Sequence, residues 1–191
     1  MNALLVSFAV IFVAEMGDKT QLLSLVLAAR FRRPWPIIAG ILVATLANHA
    51  LAGAIGSWLT SVIPPHVMRW TLGISFIAMG LWTLKPDKAE EAPTSAGSLG
   101  VFGTTVAAFF MLEMGDKTQI ATVALAAKYA SLAAVVAGTT LGMMMANVPA
   151  VLIGEAAARK LPMRAIHIVA ATIFIVLGVL ALAGPALDAI T

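Results

Sequence analysis

The sequence predicts an all-α integral membrane protein: six transmembrane helices, built as two inverted three-helix repeats, with both termini outside. Three observations predict it. Of 191 residues, 61% are hydrophobic and only 11% charged, whereas soluble domains carry about 25% charged residues. The apolar residues fall into six runs, each close to the roughly 20 residues that span a bilayer as a helix. The heptapeptide Glu-Met-Gly-Asp-Lys-Thr-Gln occurs twice, at Glu15–Gln21 and Glu113–Gln119, an offset of 98. No run alternates strictly between apolar and polar, which argues against a β-barrel.

The first run is Leu4–Ala29. It lacks a basic leader and continues through Glu15 into a segment repeated later, so it reads as a retained helix and not as a signal peptide. The second run is Ile37–Ile63 and the third, the shortest, Val67–Leu84. Residues 85–98 are rich in Pro, Ser, Ala and acids and read as a cytoplasmic linker. The fourth, fifth and sixth runs are Leu99–Ala127, Leu132–Ala157 and Ala165–Leu187. Residues 1–84 form the first repeat and 99–191 the second. Glu15–Arg30 and Glu113–Lys128 agree at ten of sixteen positions, and Ala9/Ala107, Phe12/Phe110, Gly40/Gly138 and Gly56/Gly154 match at the same offset. Three helices per repeat force the repeats to insert in opposite directions, with a shared site expected near the midplane.

Basic residues orient the chain. The first, third and fifth loops hold Arg30, Arg32, Arg33, Lys85, Lys88, Arg159, Lys160 and Arg164; the opposite side holds Arg69 and Lys128. Eight against two places the odd loops in the cytoplasm. The net charge of +3 thus reports topology and no nucleic-acid partner. Cysteine is absent, which excludes disulfides and thiolate metal sites.

The two heptapeptides hold four of the nine acidic residues, all inside apolar runs. Charge at membrane depth costs a few kcal/mol or more and reads by default as functional. In continuous helices turning 100° per residue, Glu15, Asp18 and Lys19 share one face, as do Glu113, Asp116 and Lys117. Facing each other across the repeat axis, they bring four carboxylates to one volume. Those groups must bind a cation, pair with Lys19 and Lys117, or take protons. Four carboxylates and two lysines sum to −2, which one divalent ion neutralises, and oxygen ligands suit hard ions such as Mn²⁺ and Ca²⁺. The metal ligands are therefore expected to be Glu15, Asp18, Glu113 and Asp116, with Lys19 and Lys117 balancing charge. Gln21, Gln119, Asn48, Asn147, Thr20 and Thr118 are additional candidates as ligands or supports. The two glutamines join only if Gly17 and Gly115 break their helices. Those glycines serve either close helix approach or such a break.

Ser24, Thr122 and His49 read as helix-contact groups, Glu155 as interfacial, His66 and His167 as ordinary polar residues, and Met143–Met145 as packing. The structural alternative for the motif, static Glu–Lys bridges, explains poorly why four acids recur in matched copies.

The doubled Glu-x-Gly-Asp-Lys-Thr motif resembles a family of small divalent-cation/proton exchangers that includes transmembrane protein 165 and bacterial manganese exporters. Leu46–Ala52 and Gly138–Gly154 extend the similarity over nearly the whole chain. The resemblance implies transport of Mn²⁺ or Ca²⁺ in exchange for protons, with Glu15, Asp18, Glu113 and Asp116 as the cation site and no resident cofactor. In bacteria it implies export across the inner membrane by a multi-pass protein. Export of an amino acid or other small organic cation is the alternative, although four acids suit a compact ion better. An intramembrane aspartyl protease would need one Asp on each of two helices in differing motifs; no enzyme is expected. Nothing in the sequence sets the oligomeric state.

Overall fold

A computed structural model describes residues 2–85, 98–153 and 163–188. These residues form helices and turns, with no strand among them. The helices are α1 (Ala3–Glu15), α2 (Lys19–Phe31), α3 (Pro34–Val62), α4 (Pro65–Thr83), α5 (Gly100–Glu113), α6 (Lys117–Lys128), α7 (Leu132–Ile153) and α8 (Met163–Asp188). The expected linker, apart from its ends, and Glu155 lie outside the described residues.

Local chemistry sets the boundaries. The Asn2 side chain accepts from Leu4 N at 3.1 Å and starts α1. Arg32, at φ 52°, closes α2 by donating its N–H to the Ala28 carbonyl, and Pro34 then opens α3. Pro64 and Pro65 separate α3 from α4, because proline is tolerated in a helix's first turn but not in its interior.

The first and fourth apolar runs are each two helices. Met16 is extended, Gly17 has φ +81°, and Asp18 becomes the N-terminal residue of α2. Met114, Gly115 at φ +79° and Asp116 repeat this conformation. Only glycine takes such a φ without steric penalty. A β-carbon on Gly115 would meet no atom within 4 Å, so that glycine serves the break and not close packing. This corrects the continuous helical wheel: Glu15 ends one helix and Lys19 begins another.

Packing is crosswise between the sequence repeats. α1 lies on α7 and α3 on α5; α2 and α6 lie against α7 and α3; α4 packs on α8. The contacts repeat in detail. Gly40 of α3 sits against Thr105 and Phe102 of α5, and Gly138 of α7 against Ser7 and Leu4 of α1. Every one of these positions is matched at offset 98. Small residues at such crossings let helix backbones approach, the main source of association in lipid.

The arrangement is inside out relative to a soluble protein. Glu15, Asp18, Thr20, Ser24, Asn48, His49, Glu113, Lys117, Thr118 and Asn147 are buried, while Leu5, Trp58, Ile74 and Leu141 are more than half exposed. Exposed apolar and buried polar side chains suit a hydrocarbon solvent. Among the described residues α3, α7 and α8 hold segments long and apolar enough to cross a membrane unaided, whereas α1 and α5 are shorter apolar helices.

Candidate metal centre

The two breaks carry the acidic motifs into the protein interior. At each, a helix ends on glutamate and the next begins just after aspartate. The broken ladder frees backbone groups, and side chains of the same motif take them up. Gln21 Oε1 accepts from Gly17 N at 2.9 Å, and Gln119 Oε1 from Gly115 N at 2.7 Å. This is a capping box displaced by one residue: a glutamine in the first turn reaches back over the helix start. Asp18 and Asp116 occupy the cap positions without making a cap hydrogen bond, which leaves their carboxylates for other partners.

Those partners are the lysines of the opposite repeat. Lys19 Nζ lies 3.2 Å from Asp116 Oδ1, and Lys117 Nζ pairs with Asp18 Oδ1. The lysines therefore cross between repeats and do not balance the acids of their own helix. The Lys117 and Asp18 side chains are 2% and 0% exposed, against 16% for Lys19; the two otherwise equivalent pairs differ in access.

The glutamates are held by threonine. Thr20 Oγ1 donates to Glu15 Oε2 at 2.5 Å, and Thr118 Oγ1 to Glu113 Oε2 at 3.0 Å and to Asp116 Oδ2 at 3.4 Å. The other oxygens, Glu15 Oε1 and Glu113 Oε1, are buried without a hydrogen-bond partner. Carboxylate oxygens of Glu15, Glu113 and Asp116 lie within 4.8 Å of one another. Asp18 is outside this group of three. Buried carboxylate oxygens so close together, with two of them unsatisfied, are an arrangement that a cation or protons would complete.

The remaining candidates surround this centre. Asn48 Nδ2 donates to the Phe110 carbonyl at 3.1 Å, near the end of α5, and its Oδ1 is buried without a partner. Asn147 Oδ1 accepts from Ser24 Oγ at 2.8 Å, and its Nδ2 donates to Met143 O; it ties α7 to α2. Gln21 Nε2 donates to the Ala146 carbonyl at 3.0 Å, whereas Gln119 Nε2, among the described residues, reaches Met114 Sδ at 3.7 Å. Both glutamines thus use their amides on the scaffold. His49 is buried, with neither ring nitrogen hydrogen-bonded.

An unbroken helix, turning 100° per residue, would set Thr20 about 140° away from Glu15; the break instead brings Thr20 and Thr118, both candidates from the sequence, onto the glutamates. The corrective signal was present. Asp-x-x-Gln is a helix-start pattern, and a glycine just before it is a helix-stop pattern. Together they mark a break at Gly17–Asp18 and Gly115–Asp116.

Comparison with known proteins places the chain in a family. The family model described as "Divalent cation/proton antiporter GDT1" matches residues 3–91 and 101–188. A Vibrio cholerae protein named "Putative manganese exporter" is 49% identical over 178 residues, which cover 93% of this chain and 88% of that protein. "GDT1-like protein 5" of Arabidopsis thaliana is 26% identical over 220 residues, covering 94% of each chain. A GDT1-like protein of Synechocystis is 27% identical over 195 residues, covering 91% of this chain and 93% of that protein. No solved structure matches. By the extent of the family match, over both halves and both motifs, this chain belongs to the GDT1 family of divalent cation/proton antiporters.

Proposed function

We propose that this protein exports Mn²⁺ from the cytoplasm in exchange for protons, through one site that both halves of the chain build. The name carried by the Vibrio cholerae relative favours Mn²⁺ over Ca²⁺. The ligands in this reading are Glu15, Glu113 and Asp116, with Asp18 as a fourth carboxylate that Lys117 neutralises. Asn48 Oδ1 is the neutral oxygen best suited to join them. Thr20 and Thr118 orient the glutamates, and Gln21 and Gln119 hold the two breaks.

The observation that carries the reading is the crosswise pairing of Lys19 with Asp116 and of Lys117 with Asp18. Each pair is neutral. What remains is −2, on Glu15 and Glu113, each with one buried oxygen unsatisfied. One divalent cation, or two protons, restores neutrality. A site that must be neutral in a low dielectric and has only those two ways of becoming so exchanges one for the other.

The topology we propose has six spans, with α1–α2 and α5–α6 each crossing as a broken helix. Both termini lie outside, and the membrane is the bacterial inner membrane. The repeats are residues 1–84 and 99–191, joined by a cytoplasmic linker at 85–98. The excess of basic residues in the odd loops supports the orientation, and the matched contacts at Gly40 and Gly138 support the repeat symmetry.

The direct test is purified protein in proteoliposomes with a Mn²⁺-sensitive dye and a pH dye. Imposing a pH gradient should drive Mn²⁺ movement, and Mn²⁺ movement should shift internal pH in the opposite sense. Mn²⁺ flux with no coupled proton movement would remove the exchange mechanism, and absence of Mn²⁺ flux beside robust Ca²⁺ flux would change the substrate.

A further inference from the structure

A second polar locus lies away from the acidic centre, where α3 ends, α4 begins and α6 ends. A cavity of about 370 Å³ sits between these ends, lined by Ile63, Met68, Arg69, Leu72, Lys128 and Ala181 among others. That volume is within the range of small-ligand sites, about 300–1,000 Å³. Its wall is mostly apolar, and its two charged residues are both cations.

Neither cation has an acidic partner among the described residues. Each lies near an aromatic ring: the Arg69 guanidinium 6.0 Å from the Trp70 ring and the Lys128 ammonium 5.8 Å from that of Tyr129. Arg69 Nε is buried and makes no hydrogen bond. A buried guanidinium donor without an acceptor is costly, and two cations on one apolar cavity attract a common anion.

We propose that this cavity binds an anionic phospholipid, with Arg69 and Lys128 holding its phosphate and an acyl chain lying along Met68, Leu72 and Ala181. Each half of that ligand answers a separate observation. Soluble phosphate would satisfy the cations but leave the apolar wall empty. A lipid without net negative charge would cover the wall but leave two cations on one neutral headgroup. The helix ends set the depth, since lipid headgroups lie at the level where membrane helices stop. Arginine suits the role because its planar fork bonds two phosphate oxygens at once, while lysine adds a point charge. The site is separate from the ion centre, so it stands whichever ion is exported.

The experiment uses the full chain purified in mild detergent and then equilibrated with phosphatidylglycerol, phosphatidylcholine or inorganic phosphate. Native mass spectrometry counts what stays bound. Wild type should retain one phosphatidylglycerol per chain in preference to phosphatidylcholine, and R69Q/K128Q should lower that retention on the order of tenfold or more. R69K/K128R, which keeps both charges, should retain most of it and shows whether the site still folds. A second reading needs no change at either cation: in a variant whose only tryptophan is Trp70, brominated phosphatidylglycerol should quench fluorescence at lower mole fraction than brominated phosphatidylcholine. Equal retention of the two lipids, unchanged retention in R69Q/K128Q, or displacement of the lipid by millimolar inorganic phosphate would overturn the proposal.

Discussion

In the exchange proposed above, Glu15 and Glu113 carry the function, because each combines burial, a threonine donor on one oxygen and no hydrogen-bond partner on the other. Glu15→Gln or Glu113→Gln keeps the shape but removes a charge and a ligand oxygen. Each should reduce Mn²⁺ flux on the order of a hundredfold or more, as expected when one buried ligand charge is lost, with membrane insertion intact. Flux within twofold of wild type in either variant would exclude that glutamate from the site. The lysines act differently. Lys117→Met strands the Asp18 carboxylate in the interior, and breaking a buried pair costs about 3–5 kcal/mol. Adding Asp18→Asn removes the stranded charge, so the double variant should recover most of the stability lost by Lys117→Met. A thermal unfolding cycle in detergent checks this; additive losses would mean that the two groups do not interact.

At the level of elements, the two breaks share a sequence and a backbone conformation but not their surroundings. The first is tied down: Gln21 bonds both Gly17 N and the Ala146 carbonyl of α7. Among the described residues the second has no such tie: beyond its own cap Gln119 reaches Met114 Sδ, and Met114 is 52% exposed. The two surrounding helices also differ in sequence. Pro149 stands inside α7. A proline has no N–H for the carbonyl four residues back, here Met145, next to Ala146. The equivalent position in α3 is Leu51. Gln21→Leu should therefore impair transport more than Gln119→Leu, by several-fold, since it removes one more buried hydrogen bond worth about 1 kcal/mol. Equal effects would mean that the α7 contact is incidental. Gly115→Ala isolates the backbone term: nothing obstructs a β-carbon there, so its loss should be about 1–2 kcal/mol from the left-handed conformation alone.

For the whole molecule, the charge balance of the centre makes a quantitative statement. Replacing one divalent ion by two protons moves no net charge. Transport should respond to a pH gradient and stay indifferent to membrane potential set by potassium and valinomycin in proteoliposomes. A current that accompanies Mn²⁺ flux would refute the two-proton balance while leaving the ligands standing. Topology has its own check: a reporter active only outside the cytoplasm should be active when fused after Thr191, and activity confined to cytoplasmic reporters would invert the orientation.

The sequence by itself determined the membrane class, the internal repeat and the identity of the acidic groups. Those follow from composition, from the 98-residue offset and from the cost of charge in hydrocarbon, none of which needs a neighbouring helix. It also held the break, as Gly followed by Asp-x-x-Gln, within a run whose apolar residues continue on both sides of it. Only the tertiary structure decided which charge answers which. Lys19 meets Asp116 and Lys117 meets Asp18 because the helices cross between repeats, a pairing 97 or 99 residues apart that no local pattern encodes. That crossing pairs both aspartates with lysines, and it leaves the two glutamates as the charge that, in the exchange proposed here, an ion or protons balance.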